Sequence, residues 1–137
     1  KDNPVFYVQY ANARIHSTLR KAAEEGIATD EATLAGADLS LLAHEAQLSV
    51  ARKLAEWPRQ VEIAARTNEP HRIAFFLYEL ASDLHGLYHL GKSDENLRFV
   101  NKGSQSATHA NLALARSVSI VISAGLGILG VTPAQEM

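Results

Sequence analysis

Aromatic and basic side chains share one stripe of the first predicted helix. At about 100° per residue, Arg14, Lys21 and Tyr10 lie within about 60° of Tyr7, and Arg20 lies on the adjoining side. Aromatic rings can stack on unstacked bases, and a guanidinium group can pair with phosphate oxygens. A solvated helix face whose tyrosines are half-buried against a neighbouring helix would give the same spacing. The stripe therefore predicts either a nucleic-acid contact or an ordinary helix surface.

Two histidines raise the separate question of a metal site. His85 and His89 are four residues apart on one predicted helix, a spacing that zinc ligands can have. The nearest carboxylate, Asp83, precedes His85 by two residues and is predicted on the far side of the helix. The sequence contains no H-E-x-x-H motif. We expect histidines at the surface or just below it, and no metal site.

The glycines from Gly125 to Gly130 match the pattern G-x-G-x-x-G. A phosphate-binding loop of this type follows a strand and opens a helix, whereas here a helix precedes the glycines. A helix end and a tight turn are the expected explanation. The sequence also lacks a G-x-S-x-G motif and a P-loop, and no S-x-x-K stands in a plausible context. We therefore expect no catalytic centre in this chain.

Composition limits the classes of protein to which this sequence can belong. The chain has 137 residues, 13 Lys and Arg, 15 Asp and Glu, a net charge of -2 and no cysteine. These values exclude a globally basic nucleic-acid binder, disulfides and thiolate zinc sites, and they predict one domain over residues 1–137. The chain does not begin with Met, so we expect a segment of a longer protein. No signal peptide is visible, and the longest apolar stretch, 117–131, contains three glycines, so we expect no membrane contact.

Apolar residues at helical spacing predict an all-α bundle of about five helices. Asn3 and Pro4 are typical of a helix start, Gly26 of a helix end, and Pro58 of a break between two helices. The predicted helices cover residues 4–25, 43–57, 58–65, 70–90 and 107–125, joined by loops at 27–40 and 91–106. The expected inward residues of the second helix are Leu48, Ala51, Leu54 and Ala55, and those of the fourth are Ile73, Phe76, Leu77, Leu80, Leu84 and Leu87.

Four sequence blocks resemble a known family. Residues 2–14, D-N-P-V-F-Y-V-Q-Y-A-N-A-R, are similar to the signature N-P-x-Y/F-Y-V/L-Q-Y-A-H-A-R, which opens the C-terminal anticodon-binding domain of arginyl-tRNA synthetases. The other three blocks follow in the family's order: E-P-H-R with Y-E-L-A at 69–81, H-G-L-Y at 85–88, and N-L-A-L at 111–114 with the stretch from Gly125 to Met137. The resemblance covers nearly the whole chain.

The resemblance implies the helical anticodon-binding domain of a class I synthetase, which binds the anticodon loop of an arginine tRNA. The parent enzyme would be a cytoplasmic, monomeric ligase that joins arginine to its tRNA with ATP and Mg²⁺. The H-I-G-H-like and K-M-S-K-S-like signatures of the ATP site are absent here, so catalysis and cofactors are expected in another domain of the polypeptide. The family's tRNA contacts that match this sequence are Tyr7, Tyr10, Arg14, Arg20, Tyr88 and Met137.

The sequence departs from the family pattern at three places. Asn12 stands where His is usual, Lys92 stands where some members have an aromatic residue, and Gln135-Glu136 replaces a terminal pair that includes a cation. Each departure is expected to weaken one contact only. The alternative function is a helical protein-interaction module, in which the same stripe of the first helix binds a partner helix.

Overall fold

The computed structural model describes residues 3–137, so Asp2 of the opening motif and the first two residues of the predicted domain lie outside the described part. Within residues 3–137 the chain is helical and has no strand, which confirms the all-α prediction. The helices are α1 (Pro4–Glu24), α2 (Glu31–Ala35), α3 (Glu45–Ala55), α4 (Trp57–Thr67), α5 (His71–Gly91) and α6 (Gln105–Ile128), with 3-10 turns at Leu39–Leu41 and Glu95–Leu97. Five of these helices correspond to the predicted five.

Local signals set the ends of the helices as predicted. The Asn3 side chain accepts hydrogen bonds from the backbone N–H groups of Val5 and Phe6, and Pro4 occupies the first helical position. Pro58 lies in the first turn of α4, where its missing N–H group interrupts no hydrogen bond of that helix. The preceding helix, α3, ends at Ala55, as expected for a break at this proline. Asn68 ends α4 with a positive φ of 56°, a conformation that Asn tolerates better than most residues.

The prediction of a continuous loop over 27–40 was wrong, because this segment contains α2 and part of a 3-10 turn. Asp30 begins α2 by accepting a hydrogen bond from the Thr33 N–H at 3.0 Å. Leu34 is buried in the core, where α2 packs against α6. One capping residue and one buried leucine are too little periodicity to identify a five-residue helix from sequence.

The inward face of α3 was predicted correctly for Ala51 and Leu54, which are half-buried against the core, but not for the other two residues. The buried residues are Gln47 and Val50, whereas Leu48 and Ala55 are exposed. Gln47 is buried because its side-chain amide donates a 2.8 Å hydrogen bond to Oδ1 of Asn111 on α6. A satisfied polar pair therefore occupies the position that an apolar stripe was expected to fill.

The core lies where α1, α5 and α6 pack together. The predicted inward residues of α5 are all buried, which confirms that stripe. The helix α6 is long and apolar enough to cross a membrane by length and composition, and half of its most apolar window is buried inside the fold. Its apolar character is therefore that of a central core helix. The single-domain organisation over 1–137 stays a prediction.

The glycines near the end of α6 have two different roles. A Cβ on Gly125 would lie 2.7 Å from Cδ1 of Leu77, so this glycine allows α6 to approach α5 closely. Gly130 has a φ of +77° and turns the chain out of the helix, as predicted for a helix end. The prediction was wrong for Gly125, which is a packing residue inside the helix.

Candidate nucleic-acid interface

The helices α1 and α5 lie side by side and bring five side chains into one group. We call this group the aromatic–cation cluster; its members are Tyr7, Tyr10, Arg14, His85 and Tyr88. Three of them come from the stripe on α1 and two from the H-G-L-Y block on α5. The cluster therefore joins two of the sequence blocks that are far apart in the chain.

Two contacts hold the Arg14 guanidinium in place. Its Nη1 lies 3.0 Å from Nδ1 of His85, and its central carbon lies 3.8 Å from the centre of the Tyr88 ring. A guanidinium above an aromatic ring is attracted by the ring quadrupole, and it keeps its remaining N–H donors for other partners. The planar group is thus oriented before any ligand binds.

His85 lies between two tyrosine rings. Its ring centroid is 5.1 Å from that of Tyr7 and 5.3 Å from that of Tyr10, with the latter pair nearly parallel at 25°. Burial, and then the Arg14 charge, hold the pKa of His85 below its usual value, so the neutral imidazole is favoured. Its Nε2 atom is buried and has no hydrogen-bond partner. His85 therefore supports the cluster from within.

The histidine pair does not form part of a larger metal-ligand group. His89 is exposed, whereas His85 contacts Arg14 and the tyrosines. Across residues 3–137, no three His, Cys, Asp or Glu side chains are grouped so that they could hold one ion. The expectation that no metal binds this chain stays a prediction.

Tyr88 is half-buried beneath Arg14. Its hydroxyl is hydrogen-bonded to the Thr18 hydroxyl, and its ring centroid is 4.5 Å from that of Phe99. Burial raises the pKa of Tyr88 above its usual value, with a partly opposing effect of the Thr18 hydrogen bond. Tyr88, Arg14, Lys92 and Arg98 line a hollow of about 460 Å³, which we call the inner hollow. Lys92 thus adds charge where some family members have an aromatic residue.

A second hollow, of about 480 Å³, lies on the other side of Arg14, and we call it the outer hollow. Its lining includes Tyr10, Arg14 and Arg20 from α1, together with Glu136 and Met137 from the end of the chain. The Tyr10 side is accessible, since that residue is 47% exposed, and Met137 is 61% exposed. The outer hollow therefore presents an aromatic ring, two cations and a flexible apolar side chain to solvent.

The final segment of the chain lies against α1. We call residues 132–137 the tail. Gln9 donates from Nε2 to the Thr132 carbonyl at 2.8 Å and accepts from the Ala134 N–H at 2.6 Å. Asn12 donates from Nδ2 to the Ala134 carbonyl at 2.8 Å, and Arg20 donates from Nη1 to the Gln135 carbonyl at 3.3 Å. These bonds place the tail at the edge of the outer hollow.

Asn12 has a larger structural role than the sequence indicated. It is fully buried, and its Oδ1 accepts a 2.8 Å hydrogen bond from the Ser119 hydroxyl on α6. The expectation that this departure weakens one RNA contact did not foresee a link between α1, α6 and the tail. A polar residue next to Ala11 and Ala13, both buried, was the available signal, since buried amides need partners.

The six predicted site residues fall into three groups. Tyr10, Arg14, Arg20 and Met137 surround the outer hollow, and Arg14 and Tyr88 line the inner hollow. Tyr7 lines neither hollow; its ring centroid lies 4.7 Å from that of Tyr78 and 5.1 Å from that of His85. Sequence reasoning missed His85, Gln9 and Asn12 as supporting residues, because their contacts depend on which helices are neighbours.

Comparison with curated proteins finds relatives over the whole chain. It is 88% identical to a protein named Arginine--tRNA ligase from Ruegeria sp. (strain TM1040), over 100% of this chain and 24% of that protein. It is 65% identical to a protein of the same name from Ruegeria pomeroyi and 64% identical to one from Paracoccus denitrificans, again over all 137 residues. The chain spans about a quarter of the length of the curated relatives it matches.

A solved structure has the same fold. A crystal structure from Campylobacter jejuni, provisionally described as an arginyl-tRNA synthetase, superposes with a TM-score of 0.79 at 22% identity, over 98% of this chain and 27% of that one. The model of the family described as the DALR anticodon binding domain matches residues 8–137. This match includes α1 from Val8 onward, both hollows and the tail. The chain therefore belongs to the DALR anticodon binding domain family.

Proposed function

We propose that this chain binds the anticodon loop of an arginine tRNA, as one domain of an arginine–tRNA ligase. The observation that carries the proposal is the 88% identity, over all 137 residues, to a protein named Arginine--tRNA ligase. The family membership supports an RNA loop as the ligand, and the outer hollow presents Tyr10, Arg14 and Arg20 as suitable groups.

The outer hollow is the proposed contact surface for the loop. Opening the loop to expose its bases costs a few kcal/mol, and stacking a base on the exposed Tyr10 ring offsets about 1–3 kcal/mol. Arg14 and Arg20 neutralise phosphates on either side, with Lys21 about two turns beyond Arg14 on the same face of α1. Met137 covers an apolar part of the loop from the tail side.

Arg14 also lines the inner hollow, so its guanidinium can contact the RNA from that hollow as well. Lys92 and Arg98 line this hollow together with the aromatic rings of Tyr88 and Phe99. We propose that Tyr88 acts chiefly by supporting Arg14, because its hydroxyl already bonds Thr18. Arg14 would then be the residue shared by both parts of the contact.

The genetic code indicates which base matters most. Arginine codons are CGN and AGR, so every arginine anticodon has cytosine at its centre. A domain that selects arginine tRNAs must test that cytosine, and backbone groups of the tail beside Met137 are suited to contact its edge. The proposal thus requires that replacing this one base weakens binding.

The chemistry of the whole ligase belongs to the part of the polypeptide outside this chain. We propose that ATP and Mg²⁺ bind there, and that this chain contributes no catalytic residue and no cofactor ligand. A cytoplasmic location and a monomeric enzyme without membrane contact complete the proposal. Exposed apolar side chains, among them Phe6, Phe75, Leu39 and Ile120, are available to pack against the catalytic domain.

The test compares two transcripts of an arginine tRNA, one natural and one with its central anticodon cytosine replaced. We expect tighter binding of the natural transcript and an affinity that falls steeply between about 50 and 200 mM salt. Equal affinity for the two transcripts would overturn the proposal. Binding of a partner helix through apolar contact, the alternative function, would not give the salt dependence.

A further inference from the structure

We propose that Gln9 and Asn12 are positioning residues that hold the tail against α1, so that Met137 forms one wall of the RNA site. The proposal rests on the proposed function and adds to it, since Gln9 is not among the predicted RNA contacts and Asn12 was expected only to weaken one of them. Both lie on α1, and both bond the backbone of the tail. They act through the tail and not on the ligand.

The tail depends on side chains for its position. Among the described residues, the last backbone-to-backbone hydrogen bond of the chain is that from the Val131 N–H to the Leu126 carbonyl. Beyond Val131, the backbone groups that bond do so with Gln9, Asn12 and Arg20. Pro133 has no N–H to contribute. Removing these side chains would leave the tail without a fixed path.

Gln9 bonds the tail much as a neighbouring strand would. Its amide donates to the Thr132 carbonyl and accepts from the Ala134 N–H, at 2.8 and 2.6 Å. The Gln9 side chain thus satisfies the two backbone groups on either side of Pro133, the Thr132 carbonyl and the Ala134 N–H. A paired donor and acceptor fix direction as well as distance, so the residues that follow are aimed toward the outer hollow.

Asn12 connects the same point of the tail to the core. It is fully buried, donates to the Ala134 carbonyl and accepts from Ser119 on α6. Ser119 also lies 3.2 Å from Nε2 of His16 on α1. Ala134 is therefore held on its N–H side by Gln9 and on its carbonyl side by Asn12.

The position of Ala134 matters because Met137 follows three residues later. Glu136 and Met137 line the outer hollow opposite Tyr10 and Arg14. A tail released at Ala134 would sample many positions, and ordering it again on RNA would cost conformational entropy. The expected consequence is weaker RNA binding with the helical core intact.

The experiment uses Gln9→Met, which keeps the side-chain length and removes both hydrogen bonds. The matched control is Gln105→Met, at an exposed position in the first turn of α6. A third variant ends at Val131 and lacks the tail. For each we would measure the affinity for an arginine anticodon stem-loop and the hydrogen exchange rate of the Ala134 amide where it is present. Circular dichroism melts check that the core is folded.

We expect Gln9→Met to speed exchange at Ala134 and to raise the dissociation constant by a factor between about 5 and 100, the range for losing one stacking-sized contact. The control should change neither value. Combined with tail removal, Gln9→Met should weaken binding no further, because both changes act through the same segment. Asn12→Leu should behave like Gln9→Met. Asn12→His should bind RNA like wild type, since a neutral imidazole can donate to the Ala134 carbonyl and accept from the Ser119 hydroxyl.

Two results would overturn the inference while leaving the proposed function intact. One is an unchanged affinity in Gln9→Met although tail removal weakens binding. The other is an equal loss from Gln9→Met with and without the tail, which would mean that Gln9 contacts RNA itself. A wild-type chain that binds the natural stem-loop no better than one with the central cytosine replaced would overturn the proposed function, and this inference with it.

Discussion

Arg14 donates a hydrogen bond from Nη1 to Nδ1 of His85 across 3.0 Å, and this contact selects the tautomer of the neutral histidine. A guanidinium has only donors, so Nδ1 must accept, and the proton of the neutral ring is on Nε2. The same guanidinium lies 3.8 Å from the Tyr88 ring centre. The charge that is proposed to contact RNA is therefore oriented by a neutral base and an aromatic ring.

The stability of the fold should depend on pH through His85. Burial and Arg14 lower its pKa in the folded state, so on acidification the unfolded chain takes up a proton first, near pH 6.5. The unfolding free energy should therefore fall as the pH drops through that region. Urea melts of wild type and His85→Gln at several pH values test this, because Gln can accept from Arg14 but does not titrate.

His16 contributes to that pH dependence as well. Its pKa is lowered by burial, then by Arg116 and Arg20, so it acts in the same direction as His85. We expect the acid loss of stability to become smaller in His85→Gln without vanishing. An identical loss in wild type and His85→Gln would show that His85 does not contribute.

Replacing Arg14 should affect both affinity and its salt dependence. In Arg14→Ala one phosphate contact is lost, so the slope of log affinity against log salt should become shallower by about 1. Arg14→Lys keeps the charge but loses the planar contact with Tyr88, so it should retain the slope and bind more weakly. Fluorescence anisotropy titrations with the stem-loop at several salt concentrations measure both values. A wild-type slope in Arg14→Ala would remove this residue from the interface.

Tyr10 is the ring best placed to stack on a base. It is 47% exposed, so Tyr10→Ala should cost about 1–3 kcal/mol of RNA binding, while stability changes by about 0.5 kcal/mol. Tyr10→Phe keeps the ring and should bind like wild type. Titrations and urea melts of both variants separate the two effects. If Tyr10→Ala binds as tightly as Tyr10→Phe, the ring does not stack on the ligand.

Tyr88 should reveal its supporting role through a different pair of variants. Tyr88→Phe loses the bond to Thr18 and should cost about 0.5–1.5 kcal/mol of stability with RNA affinity nearly unchanged. Tyr88→Ala removes the ring between Arg14 and Phe99 and should lower stability by about 3 kcal/mol together with affinity. Melts and titrations test both. Normal stability in Tyr88→Ala would contradict the packing of this ring between Arg14 and Phe99.

Two glycines in one helix provide a matched test of packing. In Gly125→Ala the new Cβ meets Leu77 at 2.7 Å inside the core, which should destabilise the fold by about 1–3 kcal/mol. Gly127→Ala has no atom within 4 Å of its new Cβ and should stabilise the helix by about 0.5–1 kcal/mol. Thermal melts of the two variants should therefore shift in opposite directions. Equal shifts would mean that the α5–α6 contact tolerates a methyl group.

Those parts of the fold that carry strong local signals could be predicted from sequence. Asn3 and Pro4 mark the start of α1, and the six inward residues of α5 follow the helical period over about four turns. The helix α2 could not be predicted, because a single capping residue and Leu34 depend on α6 for their stability. The inward face of α3 was only partly predicted, because Gln47 is buried with Asn111 as its partner.

The candidate site was predictable along one helix but not across the fold. The stripe of Tyr7, Tyr10 and Arg14 follows from helix geometry alone. The hydrogen bond that His85 accepts from Arg14 depends on the packing of α1 against α5. No local sequence pattern indicates that these two helices are neighbours. The return of the tail to α1 is also tertiary, since Gln9 and Ala134 are 125 residues apart in sequence. Resemblance to a family added Arg20, Tyr88 and Met137 to the predicted contacts, but the physical reason for their proximity to the stripe is the packing.

The hydrogen bonds between α1 and the tail also set the order in which this surface is completed during protein synthesis. A ribosome makes α1 first and Ala134 more than a hundred residues later, at about 5–20 residues per second. Throughout that interval the polar groups of Gln9 face water, and the outer hollow lacks one wall. The helices can begin to pack while the chain is still growing, but the complete RNA-binding surface exists only after residues 132–137 leave the exit tunnel.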